Sequence, residues 1–263
     1  MKAFNLIRIL VLAAVLSACG GGGGGGEDKS LADRGEAVDG VYSGYLTSDR
    51  FGRTYPLAGY VSKSGHAHFY NRTTSEQIVM PLQVSGDHFS GVIGVYQPTD
   101  PLILSSLRTS GTVQGTVHAR DSISGDFQTG DGDHGTFLLT YDRAIYERNS
   151  RVKQLAGVWG TSSAEDRYSI SVTIRDDGSL VGSDNKGCVY GGTLSVPDSR
   201  FNAYDAAVSV TCSKGSYTAS GWAVLYPAKD STPDSIDDLK SVESIRFSFA
   251  NQQLAYFSQL TKM

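Results

Sequence analysis

From residue 40 onward the chain is written in short runs of 5–10 residues, and a new run begins every 10–13 residues. Within the runs apolar and polar side chains alternate, and Gly, Asp, Asn and Pro stand between them. A period of two puts one set of side chains on each face of an extended strand, whereas an amphipathic helix needs a period of 3.6. Short strands at regular spacing with turn residues between them predict an antiparallel all-β fold, a barrel or a sandwich. The clearest hairpin is expected from Arg167 to Asp184. Tyr168, Ile170, Val172 and Ile174 alternate with Ser169, Ser171, Thr173 and Arg175, and Asp176-Asp177-Gly178 then supplies the turn. Gly there accepts a positive φ.

A faint internal repeat divides the strands into two sets. Gly40-Val41-Tyr42-Ser43-Gly44 is similar to Gly157-Val158-Trp159-Gly160, and each opens a β-rich stretch. The first stretch holds eight candidate strands near 41–47, 55–62, 66–71, 77–84, 88–96, 112–119, 122–127 and 135–141. The second holds eight near 157–162, 168–175, 179–184, 188–196, 203–212, 216–226, 243–249 and 254–261. The reading is therefore all-β: two tandem antiparallel β-barrel or sandwich units of about eight strands joined by a short helix. The units span 40–143 and 157–263, with the join at 144–156. Ser150 is the expected N-cap of the joining helix, Val152 and Leu155 its apolar pair, and Gly157 its stop. A further weak helix or turn is expected over 100–108, and a long exposed loop containing Pro233 over 228–240.

The first 39 residues have a different character. Residues 1–18 carry Lys2 and Arg8, then an uninterrupted apolar run from Ile9 to Leu16. That run is too short to cross about 30 Å of hydrocarbon as a resident helix and has the flanks of a signal peptide. Leu16-Ser17-Ala18-Cys19 resembles the lipobox of bacterial lipoproteins. The resemblance implies cleavage before Cys19, a diacylglycerol on its thiol and an acylated amino group, hence a palmitate-type anchor in the membrane. An ordinary secretory signal with an incidental cysteine is the alternative. Residue 20 is Gly, not the Asp that retains such lipoproteins in the inner membrane. The outer membrane is therefore implied, on its periplasmic side or at the cell surface. Gly20 to Gly26 begin a flexible tether over 19–39, with a reach of roughly 25 Å for about 20 residues. A Cys followed by polyglycine is similar to the start of neisserial-type surface lipoproteins.

Composition narrows the partners. The full chain carries 23 basic and 27 acidic residues, and loss of Lys2 and Arg8 with the signal leaves 21 against 27, a net of −6. A mildly acidic globule without a basic stripe argues against nucleic acid as a partner, and anionic lipid repels it. The membrane contact expected is the lipid anchor alone.

Three cysteines are present. With Cys19 taken by lipid, Cys188 and Cys212 remain, beyond an export signal and so in an oxidising compartment. Cys188 shares strand parity with Leu194 and Val196, and Cys212 with Val208 and Val210, which points both sulfurs inward as a structural disulfide. The alternative of a metal or redox pair lacks a C-x-x-C spacing and nearby ligands.

Other chemistry is thin. His66 and His68 fall on one face of a strand, the spacing of two metal ligands, with His88 or His118 as a conceivable third. They are the weak metal candidates, and the default is two exposed strand histidines with no metal. Asp131-Gly132-Asp133-His134-Gly135 gathers acids in a turn but lacks the further ligands of a calcium loop. Asp176-Asp177 and Asp237-Asp238 look like turns, not the flanks of a cleft. No G-x-S-x-G, H-E-x-x-H or phosphate loop occurs. Catalytic residues and cofactors are therefore not expected. Fourteen tyrosines suit a binding surface whose position the sequence leaves open.

The G-x-W opening at Gly157-Val158-Trp159 resembles the first strand of lipocalins and other calycins. That resemblance implies an aromatic closing one barrel end, Trp159 in the second unit with Tyr42 as its weaker counterpart. The second unit's G-x-W, D-G-S-L-x-G and paired cysteines are also similar to uncharacterised lipoproteins of Gram-negative envelopes. The expected role is a non-enzymatic, lipid-anchored outer-membrane lipoprotein that binds a protein or a small ligand or serves structurally. A periplasmic inhibitor or immunity lipoprotein is the alternative, and an envelope hydrolase the third.

Overall fold

The computed structural model describes residues 38–98, 104–161, 169–213, 215–228, 243–251 and 254–263. The expected signal peptide, Cys19, the tether, most of the expected loop over 228–240 and Asp237-Asp238 lie outside the described residues.

The first strands are Gly40–Ser48 (β1), Arg53–Val61 (β2), His66–Asn71 (β3), Gln77–Ser85 (β4), His88–Pro98 (β5), Leu104–His118 (β6), Ser122–Thr129 (β7) and His134–Tyr141 (β8). Each pairs antiparallel with the next, and β8 pairs back onto β1 from Tyr42↔Tyr141 to Ser48↔Gly135. Eight strands thus close into a barrel, which leaves no free edge. Its lumen is filled by alternate inward residues such as Leu46, Leu57, Phe69, Ile78, Phe89, Ile93, Phe127 and Leu139, all buried. Close strand approach is built in: a Cβ at Gly44 would stand 2.0 Å from the Leu138 carbonyl oxygen.

The later strands are Gly157–Gly160 (β9), Ile170–Ile174 (β10), Ser179–Asp184 (β11), Val189–Ser195 (β12), Tyr204–Cys212 (β13), Gly215–Tyr226 (β14), Ser244–Ala250 (β15) and Leu254–Lys262 (β16). They too pair each with the next. β16 meets β9 over Thr261↔Gly160 and Lys262↔Trp159. The Asp176-Asp177-Gly178 turn forms as expected, with Gly178 at φ +86° and Asp177 Oδ1 accepting from the Ser179 N–H at 2.9 Å. A second core of Leu155, Trp159, Ile174, Leu180, Tyr204, Ile245 and Leu260 sits within this set.

Two local expectations are corrected. The join is not one helix over 144–156. A single α-turn at Arg143–Tyr146 (α1) is followed by a 3-10 turn at Val152–Leu155. Ser150 does not cap it: the cap position falls to Arg151, and Ser150 Oγ donates to the Asp198 carbonyl at 3.4 Å while its N–H donates to the Ser199 carbonyl at 2.9 Å. Of the helix or turn expected over 100–108, residues 100–103 lie outside the described residues, and 104–108 form neither. They belong to β6, which runs on beside β5 and takes up β16 through Leu254↔Ser106, Ala255↔Ser105 and Tyr256↔Leu104. Ladder hydrogen bonds from two partners outweigh a weak local preference.

That pairing docks the two strand sets side by side. Outward-facing Tyr60 and His68 of the barrel are buried against outward-facing Trp222 and Ser248, with the Tyr60 and Trp222 rings 5.2 Å apart. Gln77 Nε2 donates to Ser105 Oγ at 3.0 Å in the same region. The joining segment contributes Tyr146, whose hydroxyl donates to Asp39 and whose ring stacks on Phe201 at 4.8 Å.

Candidate functional site

The predicted cysteine pair is a disulfide. Cys188 and Cys212 stand directly across β12 and β13 with Cα atoms 4.2 Å apart. The pair marks one end of the β9–β16 set. Asp184 organises the same end: its Oδ1 accepts from the Lys186 and Cys188 N–H groups, both at 2.9 Å, and its Oδ2 from the Tyr190 hydroxyl at 2.7 Å. The carboxylate thereby holds the phenol of Tyr190, whose ring belongs to the second core.

Beneath that end lies a hollow. Val172, Leu180, Val208, Val210 and Leu260 supply aliphatic walls, and Tyr190, Phe247, Phe249 and Tyr256 aromatic ones. Phe249 lies 5.5 Å from Tyr256 and 5.7 Å from Phe247, and Tyr190 is 6.3 Å from Tyr256. Burial pushes the Tyr256 phenol well above its ordinary range, so it stays neutral. The lining is buried except at Tyr217, Ala219 and Asn251, which mark the side open to solvent. The hollow has a cavity volume of about 30 Å³, and all the empty space between its walls, counted out to solvent, is about 570 Å³. Among the described residues no charged side chain lines it. A water in its apolar depth would find few of the two to four polar partners it needs.

Trp159 lies outside the hollow's lining. Trp159 is fully buried and its Nε1 donates to the Leu155 carbonyl at 2.7 Å, while the Lys262 ammonium lies 5.3 Å from its ring. Tyr42 is equally buried in the barrel.

The histidine pair is corrected. His66 is exposed, but His68 is buried between the two strand sets and shares a 3.1 Å hydrogen bond with Ser248 Oγ. Burial, reinforced by His66, lowers its pKa to about 4. A Ser–His pair within hydrogen-bond reach is what a hydrolase would need, yet both groups are buried, and a substrate must reach its nucleophile. His88 is exposed beside Asp87, its Nε2 3.4 Å from Oδ1. Among the described residues no three His, Cys, Asp or Glu side chains gather to hold a metal. Residues 130–133 form the β7–β8 turn and bond among themselves and their neighbours. Thr129 Oγ1 donates to Asp131 Oδ1 at 2.6 Å, and Ser48 Oγ to Asp133 Oδ1 at 2.6 Å. Thr129's hydroxyl, and less strongly the Arg108 guanidinium, hold the Asp131 carboxyl below its usual range.

Sequence reasoning did not single out Tyr190, Tyr217 and Tyr256. Alternation marks inward positions, but the hollow depends on how large residues on β15 and β16 face small ones on β14, which only the pairing decides. No protein-family model, no curated protein and no solved structure matches the chain.

Proposed function

We propose that this chain is an outer-membrane lipoprotein, anchored through acyl chains on Cys19, that acts by binding rather than by covalent chemistry. In this reading β9–β16 is a second, tandem barrel unit and carries the binding site, while β1–β8 is its supporting partner. The observation that carries the reading is the contrast between the two interiors. The closed barrel's lumen is packed with side chains, and the β9–β16 lumen keeps an apolar hollow walled by aromatic rings. Such concave, mostly apolar sites with a few polar groups at the rim are the usual form of small-molecule sites. The anchor reading is supported by the lipobox-like Leu16-Ser17-Ala18-Cys19 and the polyglycine run behind it, and a disulfide fits an exported chain.

Two measurements test it. Cys19→Ala is expected to abolish acyl labelling in cells and release the protein from membranes; persistent labelling would end the anchor reading. The neutral fluorophore N-phenyl-1-naphthylamine, added to the purified mature chain, is expected to brighten and blue-shift with saturation at one site. A linear, non-saturating response would end the binding reading.

A further inference from the structure

The hollow does not stand alone. A shallow groove of about 430 Å³ adjoins it on the outside of β12–β14. Val208, Ala219 and Asn251 line both. The linings differ in chemistry. The hollow is walled by hydrocarbon and aromatic rings, while the groove presents Ser209, Thr218, Ser220 and Asn251 among glycines and alanines. Among the described residues neither lining contains a charged side chain.

From this juxtaposition we infer that the site takes an uncharged single-chain amphiphile, its acyl tail in the aromatic hollow and its hydroxylated head along the adjoining groove. The inference rests on the binding reading above and goes beyond it by naming the ligand class. The tail is assigned by the wall: each methylene moved from water into apolar surroundings lowers the free energy. A cavity of about 30 Å³ takes the terminal carbons only, so the rest of the tail runs out along the open side of the hollow. Half-buried Tyr217, at the open side, is the side chain that must turn aside for a longer tail. The head is assigned by the lack of charge. A carboxylate or ammonium brought there would lose hydration without meeting an opposite charge, whereas hydroxyls can exchange hydrogen bonds with Ser, Thr and Asn side chains.

The test is calorimetric titration of the purified mature chain with 1-monoacylglycerols of eight, ten and twelve carbons, below their aggregation concentrations. Affinity is expected to rise with chain length and then level off once the hollow is filled. Laurate at pH 8, with the same tail and a charged head, is expected to bind at least tenfold more weakly, and glycerol alone not at all. Ala219→Leu narrows the hollow at its open side and is expected to weaken monolauroylglycerol at least tenfold. Should that variant lose its β circular-dichroism signal, Tyr217→Trp at the same opening serves instead. Bromine placed near the tail end is expected to quench tyrosine emission in the native chain. Naphthylamine binding without monoacylglycerol binding, or laurate matching monolauroylglycerol, would overturn the inference and leave the binding reading standing. Binding of neither probe would sink both. Undiminished monolauroylglycerol affinity in a folded opening variant would move the ligand elsewhere and also overturn it.

Discussion

Tyr42 and Trp159 make the same hydrogen bond at matching places in the two strand sets. The Tyr42 hydroxyl donates to the carbonyl of Val38 at 3.0 Å, and Trp159 Nε1 to that of Leu155 at 2.7 Å, each four residues upstream. Both rings are fully buried on the first strand of their set. Each bond therefore turns the incoming chain back over the ring that follows it and satisfies a carbonyl that burial would otherwise orphan. Each strand set thus opens with a buried aromatic bonded to the carbonyl four residues upstream, a phenol in one and an indole in the other.

The two tryptophans give a sharp contrast. Trp159 Nε1 is bonded, whereas Trp222 Nε1, buried between the strand sets, has no partner among the described residues. Phe at either position removes similar area, but only Trp159→Phe orphans a carbonyl. An unsatisfied buried group costs about 1–3 kcal/mol, so Trp159→Phe is expected to destabilise by about 1–2 kcal/mol more than Trp222→Phe in urea unfolding. Equal losses would show that the indole N–H of Trp159 contributes nothing.

The strands were legible because alternation is a local property. Residues 66–71 and 179–184 are strands over the predicted spans, and the Asp-Asp-Gly turn follows from residue chemistry alone. The docked face was not legible for the same reason. Tyr60, His68 and Trp222 sit at outward positions, and a period of two assigns every outward position to solvent. Their burial depends on β16 reaching β6, a contact between residues about 150 apart in sequence. The disulfide was legible from parity. The hollow was not, because alternation says which side chains point inward and not how well they fill the space.

His68 makes the docked face pH-dependent. Its pKa in the folded chain, about 4, lies below the ordinary 6.5, so the unfolded chain binds the proton more readily. The stability it permits is whole above pH 6.5 and is lost as pH falls from 6.5 toward 4, by about 3 kcal/mol in all. His68→Gln, which can still bond to Ser248, is expected to flatten that part of the stability-versus-pH curve. A slope unchanged by the substitution would mean that other groups carry the acid sensitivity.

Asn202 clasps the join to the second set. Its Nδ2 donates to the carbonyls of Ile145 at 2.9 Å and Leu225 at 2.6 Å, and its Oδ1 accepts from the Leu225 N–H at 3.3 Å. Asn202→Asp keeps the shape but turns two donors into an acceptor facing carbonyls. It is expected to cost at least as much as Asn202→Ala, about 2–4 kcal/mol by urea unfolding. If the aspartate variant were as stable as the native chain, the clasp would be incidental.

The disulfide is expected to act on the unfolded chain more than on the folded one. Cys188 and Cys212 are 24 residues apart and already neighbours across β12 and β13, where Val189 pairs with Thr211. Those ladder bonds persist when the sulfurs are removed, so the native fold has little reason to change. Closing a loop of that length removes unfolded-state entropy equivalent to about 3 kcal/mol in the chain-entropy account. The double variant Cys188→Ala/Cys212→Ala is therefore expected to lose up to that amount while keeping the native circular-dichroism spectrum. Titration of the oxidised native protein is expected to find no free thiol at either position. Two reactive thiols, or a double variant with undiminished stability, would show that the cross-link does not form or does not matter.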